Sequence, residues 1–195
     1  MEALFPTDIL RAALYCTAKP DDKRTYLQGV YITPTHIRAT NGSALVAMEH
    51  GADTTIDAVF IVRGDIPEES EGVLFTLHDD GWVAIHMDED GEPFASNVLQ
   101  KIDCEYPDFS KVLPEKAEPC KEFPLFSART LALPYEMFKS NFGPVVFKPY
   151  GPTSPCEVLL DPVTRHLFGN PFMVIMPLQE DAFEMLEEVL DENRL

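Results

Sequence analysis

Positive charge is scarce in this chain of 195 residues. Fifteen Lys and Arg stand against 33 Asp and Glu, a formal net charge of -18, so the outer surface is acidic. That excludes a protein that holds nucleic acid by a general basic surface, because backbone binding needs local positive charge. A small basic patch inside an acidic shell stays compatible with the total. Cysteine is sparse as well. Cys16, Cys104, Cys120 and Cys156 are widely spaced, with no C-x-x-C pair and no histidine at zinc-finger spacing, which reads as buried free thiols in a reducing compartment. Apolar runs are short: none approaches the ~18 residues of a membrane span. No basic-then-apolar leader opens the chain, so it reads as soluble and cytoplasmic, and Asn41-Gly42-Ser43 reads as a turn rather than a glycosylation acceptor. There is no Gly-rich phosphate loop, G-x-S-x-G elbow or H-E-x-x-H. The histidines His36, His50, His78, His86 and His166 stand singly near turns or strand ends and read as surface or satisfied residues. No metal, no cofactor and no catalytic residue is expected.

What is present is an ordinary globular composition, 45% hydrophobic and 25% charged, long enough for one large domain or two small ones. Thr7 opens a helix, followed by Ile9, Leu10, Ala13, Leu14 and Thr17 at helical spacing and ended by Pro20-Asp21-Asp22. Strands are expected at 26–33, 37–40, 44–49 and 56–63, with Asn41-Gly42 as a hairpin signal. A second block is all strand, at 73–78, 82–87 and 95–103. Its turns, Asp79-Asp80-Gly81 and Asp88-Glu89-Asp90-Gly91, lack the ligand spacing and closing Glu of a calcium loop. Residues 115–122 read as a linker. A helix over 127–140, which Pro134 must start or kink, leads to strands at 145–148, 157–160 and 172–176, with Asp161-Pro162 in a loop. Residues 180–195 form an amphipathic acidic helix lined by Phe183, Leu186, Val189 and Leu190. The fold class is α+β: helices packed on antiparallel sheets, in about three related half-units.

The order of four motifs resembles the bacterial DNA polymerase III beta subunit, the sliding clamp. These are Arg24-Thr25-Tyr26-Leu27-Gln28-Gly29-Val30, the hairpin Ala39-Thr40-Asn41-Gly42-Ser43-Ala44-Leu45, the element Tyr106-Pro107-Asp108-Phe109 with Val112-Leu113-Pro114, and Val174-Ile175-Met176-Pro177-Leu178. Asn41 replaces the family's Asp in the hairpin. The resemblance covers the clamp's middle domain and the last half of its third. It implies a clamp-like domain over 1–114, a linker over 115–122, a clamp-like half-domain over 123–178 and an acidic C-terminal helix over 179–195. The middle domain's second helix is lost, since 64–72 contains Pro67 and is too short.

The same resemblance implies a partner-peptide groove formed by Arg24, Leu27, Thr40, Gly42, Ser43, Leu45, Val174, Met176 and Pro177. Leu, Val and Met give a deformable apolar slot, while Thr, Ser and Gly let a peptide backbone approach; read without the family, Leu27, Leu45, Val174 and Met176 are core strand residues. It also implies helices facing double-stranded DNA, with Arg11, Lys19, Lys23, Arg129 and Lys139 as the cations available, equally readable as a solvated helix face. The first functional expectation is a minimal, phage- or mobile-element-encoded clamp. It is a homo-oligomeric processivity factor in DNA replication that encircles DNA and binds DNA polymerase or other replication proteins through a short linear peptide. The alternative is a clamp-fold adaptor or inhibitor, an acidic DNA mimic that does not encircle DNA. A third reading is an enzyme on an unrelated α+β fold.

Overall fold

Period-two patterning dominates the molecule, whose computed structural model describes residues 2–119, 123–139, 143–179 and 181–185. The chain opens with a strand the sequence reading lacked, β1 (Glu2–Pro6), in which only Ala3 and Phe5 turn inward. Two inward residues are too few to register as alternation. Helix α1 (Thr7–Tyr15) follows. Thr7 is its first residue but not its cap; its hydroxyl is buried against Ser70 Oγ at 2.9 Å. The expected strand from residue 26 begins only at β2 (Val30–Ile32), because Thr25–Gln28 close into a 3-10 turn. There the Gln28 amide donates to the carbonyls of Pro20 and Asp22. Strands β3 (His36–Thr40), β4 (Ala44–Glu49) and β5 (Ala58–Arg63) match the expected run.

The second block forms β6 (Gly72–His78), β7 (Gly81–Met87) and β8 (Pro93–Ile102). Helix α2 (Ala128–Phe138) is capped by Ser127, whose hydroxyl accepts from the Thr130 amide. Pro134 neither starts nor ends it. It lies buried in the helix interior, where its missing N–H removes one rung of the hydrogen-bond ladder. Then come β9 (Val146–Pro149), β10 (Cys156–Leu159), α3 (Pro162–Leu167) and β11 (Phe172–Ile175). Helix α3 corrects the loop expected at Asp161-Pro162. The Asp161 carboxylate accepts from the Val163 and Thr164 amides, and Pro162 occupies the first helical position, which is where proline is tolerated best. Residues 182–185 are helical, and the rest of the acidic helix expected over 180–195 lies outside the described residues. Cys16 is a buried free thiol, Cys156 is buried, Cys104 is exposed rather than buried, and Cys120 lies outside the described residues.

Among the described residues, all eleven strands belong to one antiparallel sheet in the order β1-β6-β7-β8-β5-β2-β3-β4-β11-β10-β9. α1 and α2 pack against one another on one face. Beneath them lies the main core, with Phe5, Leu10, Ile37, Val46, Met48, Phe60, Phe75, Met173 and Ile175. A second, smaller cluster lies on the other face: Leu45, Ala47, Phe109 and Val174, with Tyr106, Val112, Leu113 and Phe172. This explains why Ala44 to Met48 are buried without a break. β4 is covered on both faces, so both of its alternating sets are apolar.

No helix joins β5 to β6; 64–71 is an irregular loop. It is held by its polar contacts. The Arg11 guanidinium donates to the carbonyls of Pro67 and Glu68 and pairs with Asp8 at 2.9 Å. Ser70 Oγ lies 3.0 Å from His86 Nδ1, His86 Nε2 lies 2.6 Å from Asn97 Oδ1, and the Asn97 amide donates to the Arg63 carbonyl. Ser, His and Asn in a row look like a catalytic relay. Thr7, Ser70 and His86 are fully buried, however, so the chain of bonds serves to anchor the loop. Among the described residues, no helix is long and apolar enough to cross a membrane.

Candidate functional site

The β3–β4 hairpin is built by its own side chains. Asn41 Oδ1 accepts from the amides of Ser43 and Ala44, and Thr40 Oγ1 accepts from the Gly42 amide while donating to the Ala44 carbonyl. Gly42 sits at φ 89°, and a Cβ there would meet Arg24 Nη1 at 2.9 Å. Arg24 can lie over this glycine because Asp22 grips it: Nε and Nη2 donate to the two carboxylate oxygens at 3.0 and 2.8 Å. The same fork holds the half-buried Asp22 carboxyl well below its ordinary range, at about 2, and raises the pKa of the Arg24 guanidinium.

β11 lies along β4 with Val174 opposite Leu45, and two residues further the Met176 amide donates to the Ser43 carbonyl at 2.8 Å. A cleft of about 250 Å³ opens over this junction. Leu45, Val174 and Thr40 form its floor, all three buried. Leu27 and Tyr26 stand on one side, Phe109, Val112 and Pro107 on the other, and Met176, Arg24 and Gly42 at the mouth. The wall from Pro107 to Val112 is shaped by Asp108, whose carboxylate accepts from the amide and hydroxyl of Ser110. Those bonds lower its pKa. Tyr106, beneath that wall, stacks on Tyr31 with ring centroids 4.8 Å apart, and burial pushes its phenol up.

Seven of the nine residues expected at a groove, Arg24, Leu27, Thr40, Gly42, Leu45, Val174 and Met176, therefore line one cleft. Ser43 supports it through its carbonyl and lines a neighbouring cleft instead; Pro177 is not among the lining residues. Sequence reasoning missed Tyr26, Ala44, Pro107, Asp108, Phe109 and Val112 as lining. The aromatic-Pro-Asp-aromatic motif was visible in the sequence; that it folds back across β4 was not.

The cations expected on the helices are not equivalent. Arg11 is spent on Asp8 and on the loop carbonyls, with its side chain 19% exposed. Lys19, Lys23, Arg129 and Lys139 are exposed. Lys19 and Arg129 share a cleft between the end of α1 and the start of α2 with Asp21, Asp22 and Glu136. Lys139 neighbours Asp8 and Glu68. Cations and acids thus alternate on this face rather than segregate.

An antiparallel sheet this long, helices on one face and an apolar cleft on the other define the architecture of a DNA clamp. The chain has the fold of the Bacillus subtilis DNA polymerase sliding clamp, at TM-score 0.62 and 10% identity over 92% of this chain. It is also similar in fold to the Caulobacter crescentus pol III beta, at TM-score 0.58 and 17% identity over 91% of this chain. It spans less than two thirds of either clamp, 64% and 65% of their lengths. No protein-family profile and no curated protein matches the sequence.

Proposed function

We propose that the chain is a minimal sliding-clamp-like processivity factor, without catalytic activity of its own. Several copies assemble around duplex DNA, and each holds a short linear peptide of a DNA polymerase or another replication protein in the cleft over β4 and β11. The observation that supports this best is the cleft itself: residues 129 positions apart in sequence, Leu45 and Val174, meet to floor an apolar slot with a deformable methionine at its mouth. Such peptide capture rests on a few buried anchors. Replacing Met176 by Ala is expected to weaken binding of a partner peptide by about 1–3 kcal/mol while leaving the fold intact, since Met176 is partly exposed. Calorimetric titration would measure it; unchanged affinity in a folded variant removes the cleft as the site.

Encirclement has a topological signature. The assembled protein is expected to be retained on circular duplex DNA and lost from linear DNA with free ends. Each phosphate contact would add about -0.9 to the log–log salt slope. A second reading, a clamp-fold adaptor or inhibitor that presents an acidic surface to a basic site, is favoured by one observation: Arg11 is engaged within the chain, and Lys19, Arg129 and Lys139 sit among acids. Equal retention on the two DNA forms, or none at low salt, decides for it. The reducing, cytoplasmic location and the domain boundaries read from the sequence belong to the same proposal.

A further inference from the structure

We infer that the segment from Phe123 to Ile175 is half of a domain, completed by the same segment of a second copy across a two-fold axis. The warrant is a repeat inside the chain. β1 and the residues before α2 share a pattern: Leu4-Phe5-Pro6 enters α1, and Leu125-Phe126-Ser127 enters α2. Phe5 and Phe126 are both buried. The residues preceding the two helices have similar backbone, φ -61° and ψ 125° at Pro6, φ -68° and ψ 142° at Ser127.

In the first part of the chain every such element finds a partner. β1 runs antiparallel to β6, and β5 runs antiparallel to β2. Each strand leading into a half-unit thereby covers the first inner strand of the other half-unit. β5 is also held on its other side by β8, the last strand of its own half-unit. The third half-unit repeats only that internal contact: the Leu178 amide, just past β11, donates to the Leu125 carbonyl at 2.7 Å. Among the described residues β9, its first inner strand, is the edge of the sheet, with β10 as its one strand neighbour; just past its end the Glu118 amide donates to the Tyr150 carbonyl at 2.9 Å.

Large apolar side chains are exposed where the repeat is incomplete. Phe123 is 60% exposed, Val146 on β9 is 55% exposed, and Leu131 and Tyr135, one helical turn apart on α2, are 39% and 69% exposed. Phe123 also stands against Phe126 and Phe147 at the open edge. An uncovered edge strand flanked by apolar side chains is a template for pairing with another chain. A second copy is the occupant that satisfies both needs at once. Its residues 123–127 lie antiparallel to β9, its β9 receives residues 123–127 in return, and the Leu131–Tyr135 stripes of the two α2 helices meet at the axis. The contact is isologous, so it closes at two chains. It deepens the assembly step of the proposed function and rests on that reading only for the closed ring.

The test is mass in solution by light scattering and sedimentation, with no DNA or peptide present, so its outcome is separate from that of the cleft. The wild-type protein is expected as a dimer or a larger even assembly at micromolar concentration. Phe123→Glu and Tyr135→Glu, both at exposed positions, are each expected to raise the dissociation constant at this contact by about tenfold or more, with unchanged circular dichroism. Leu4→Glu, on the opposite edge, is expected to leave the contact intact. A single chain at high concentration overturns the inference. So does an assembly indifferent to both substitutions, or one broken by Leu4→Glu alone.

Discussion

Replacing Gly169 by Ala is expected to lower stability by about 2–5 kcal/mol, from a left-handed backbone and a backbone collision combined. Gly169 sits at φ 63° between α3 and β11, and a Cβ there would lie 1.8 Å from the Glu49 carbonyl oxygen. That atom cannot move aside cheaply. Glu49 ends β4, and its amide donates to the Gly169 carbonyl at 2.7 Å, so the two backbones are locked at the start of the β4–β11 pairing. The damage should therefore be greatest where β11 begins. Urea unfolding followed by circular dichroism would measure it, and an unchanged midpoint would contradict the turn described here. Hydrogen exchange should show the amides of β11 losing protection before those of β6 and β7.

His86 carries the second large effect. Removing its ring in His86→Ala leaves the buried Ser70 Oγ and the half-buried Asn97 side chain without their shared partner, and opens a cavity. The expected cost is about 3 kcal/mol or more. The wild-type protein has a corresponding pH dependence. Burial, first, and the positive charge of Arg11 lower the pKa of His86 from its ordinary value of 6.5, against an opposing hydrogen bond to Asn97. An unfolded chain takes up a proton near 6.5; the folded chain resists until lower pH. The contribution is thus fully present above about 6.5 and is lost as pH falls from there through the lowered folded value. His36, whose pKa is lowered by burial and by Arg38, adds in the same direction. His86→Gln, which can keep one of the two hydrogen bonds but takes up no proton, should flatten the slope below about pH 6.5. A slope equal to that of the wild type would show that His86 does not titrate as argued.

Much of the architecture is legible in the residues, and the gaps have physical causes. β6 and β7 are plain because Val73 and Phe75 alternate with half-exposed neighbours and Gly81, at φ 127°, supplies the turn. α3 was hidden because Asp-Pro marks a turn as readily as a capped helix start, and only the amides of Val163 and Thr164 decide which. The 3-10 turn at Thr25–Gln28 depends on carbonyls of Pro20 and Asp22, a contact that no periodicity encodes. The cleft is the sharpest case. Its floor residues, Leu45 and Val174, carry the composition of a core strand; only the family resemblance set them side by side, and the wall from Pro107 to Val112 stayed unassigned. Local pattern gives faces, whereas the adjacency of Leu45 and Val174, 129 positions apart, comes from β4 pairing with β11.

That pairing is only four residues long, from Ala44 to Ala47 against Phe172 to Ile175, and the cleft straddles it. Any segment seated between Leu45 and Met176 therefore acts as a cross-brace. Prising β11 away from β4 would first require evicting the guest. Occupancy would accordingly raise the melting temperature with the logarithm of guest concentration over its dissociation constant, through this joint.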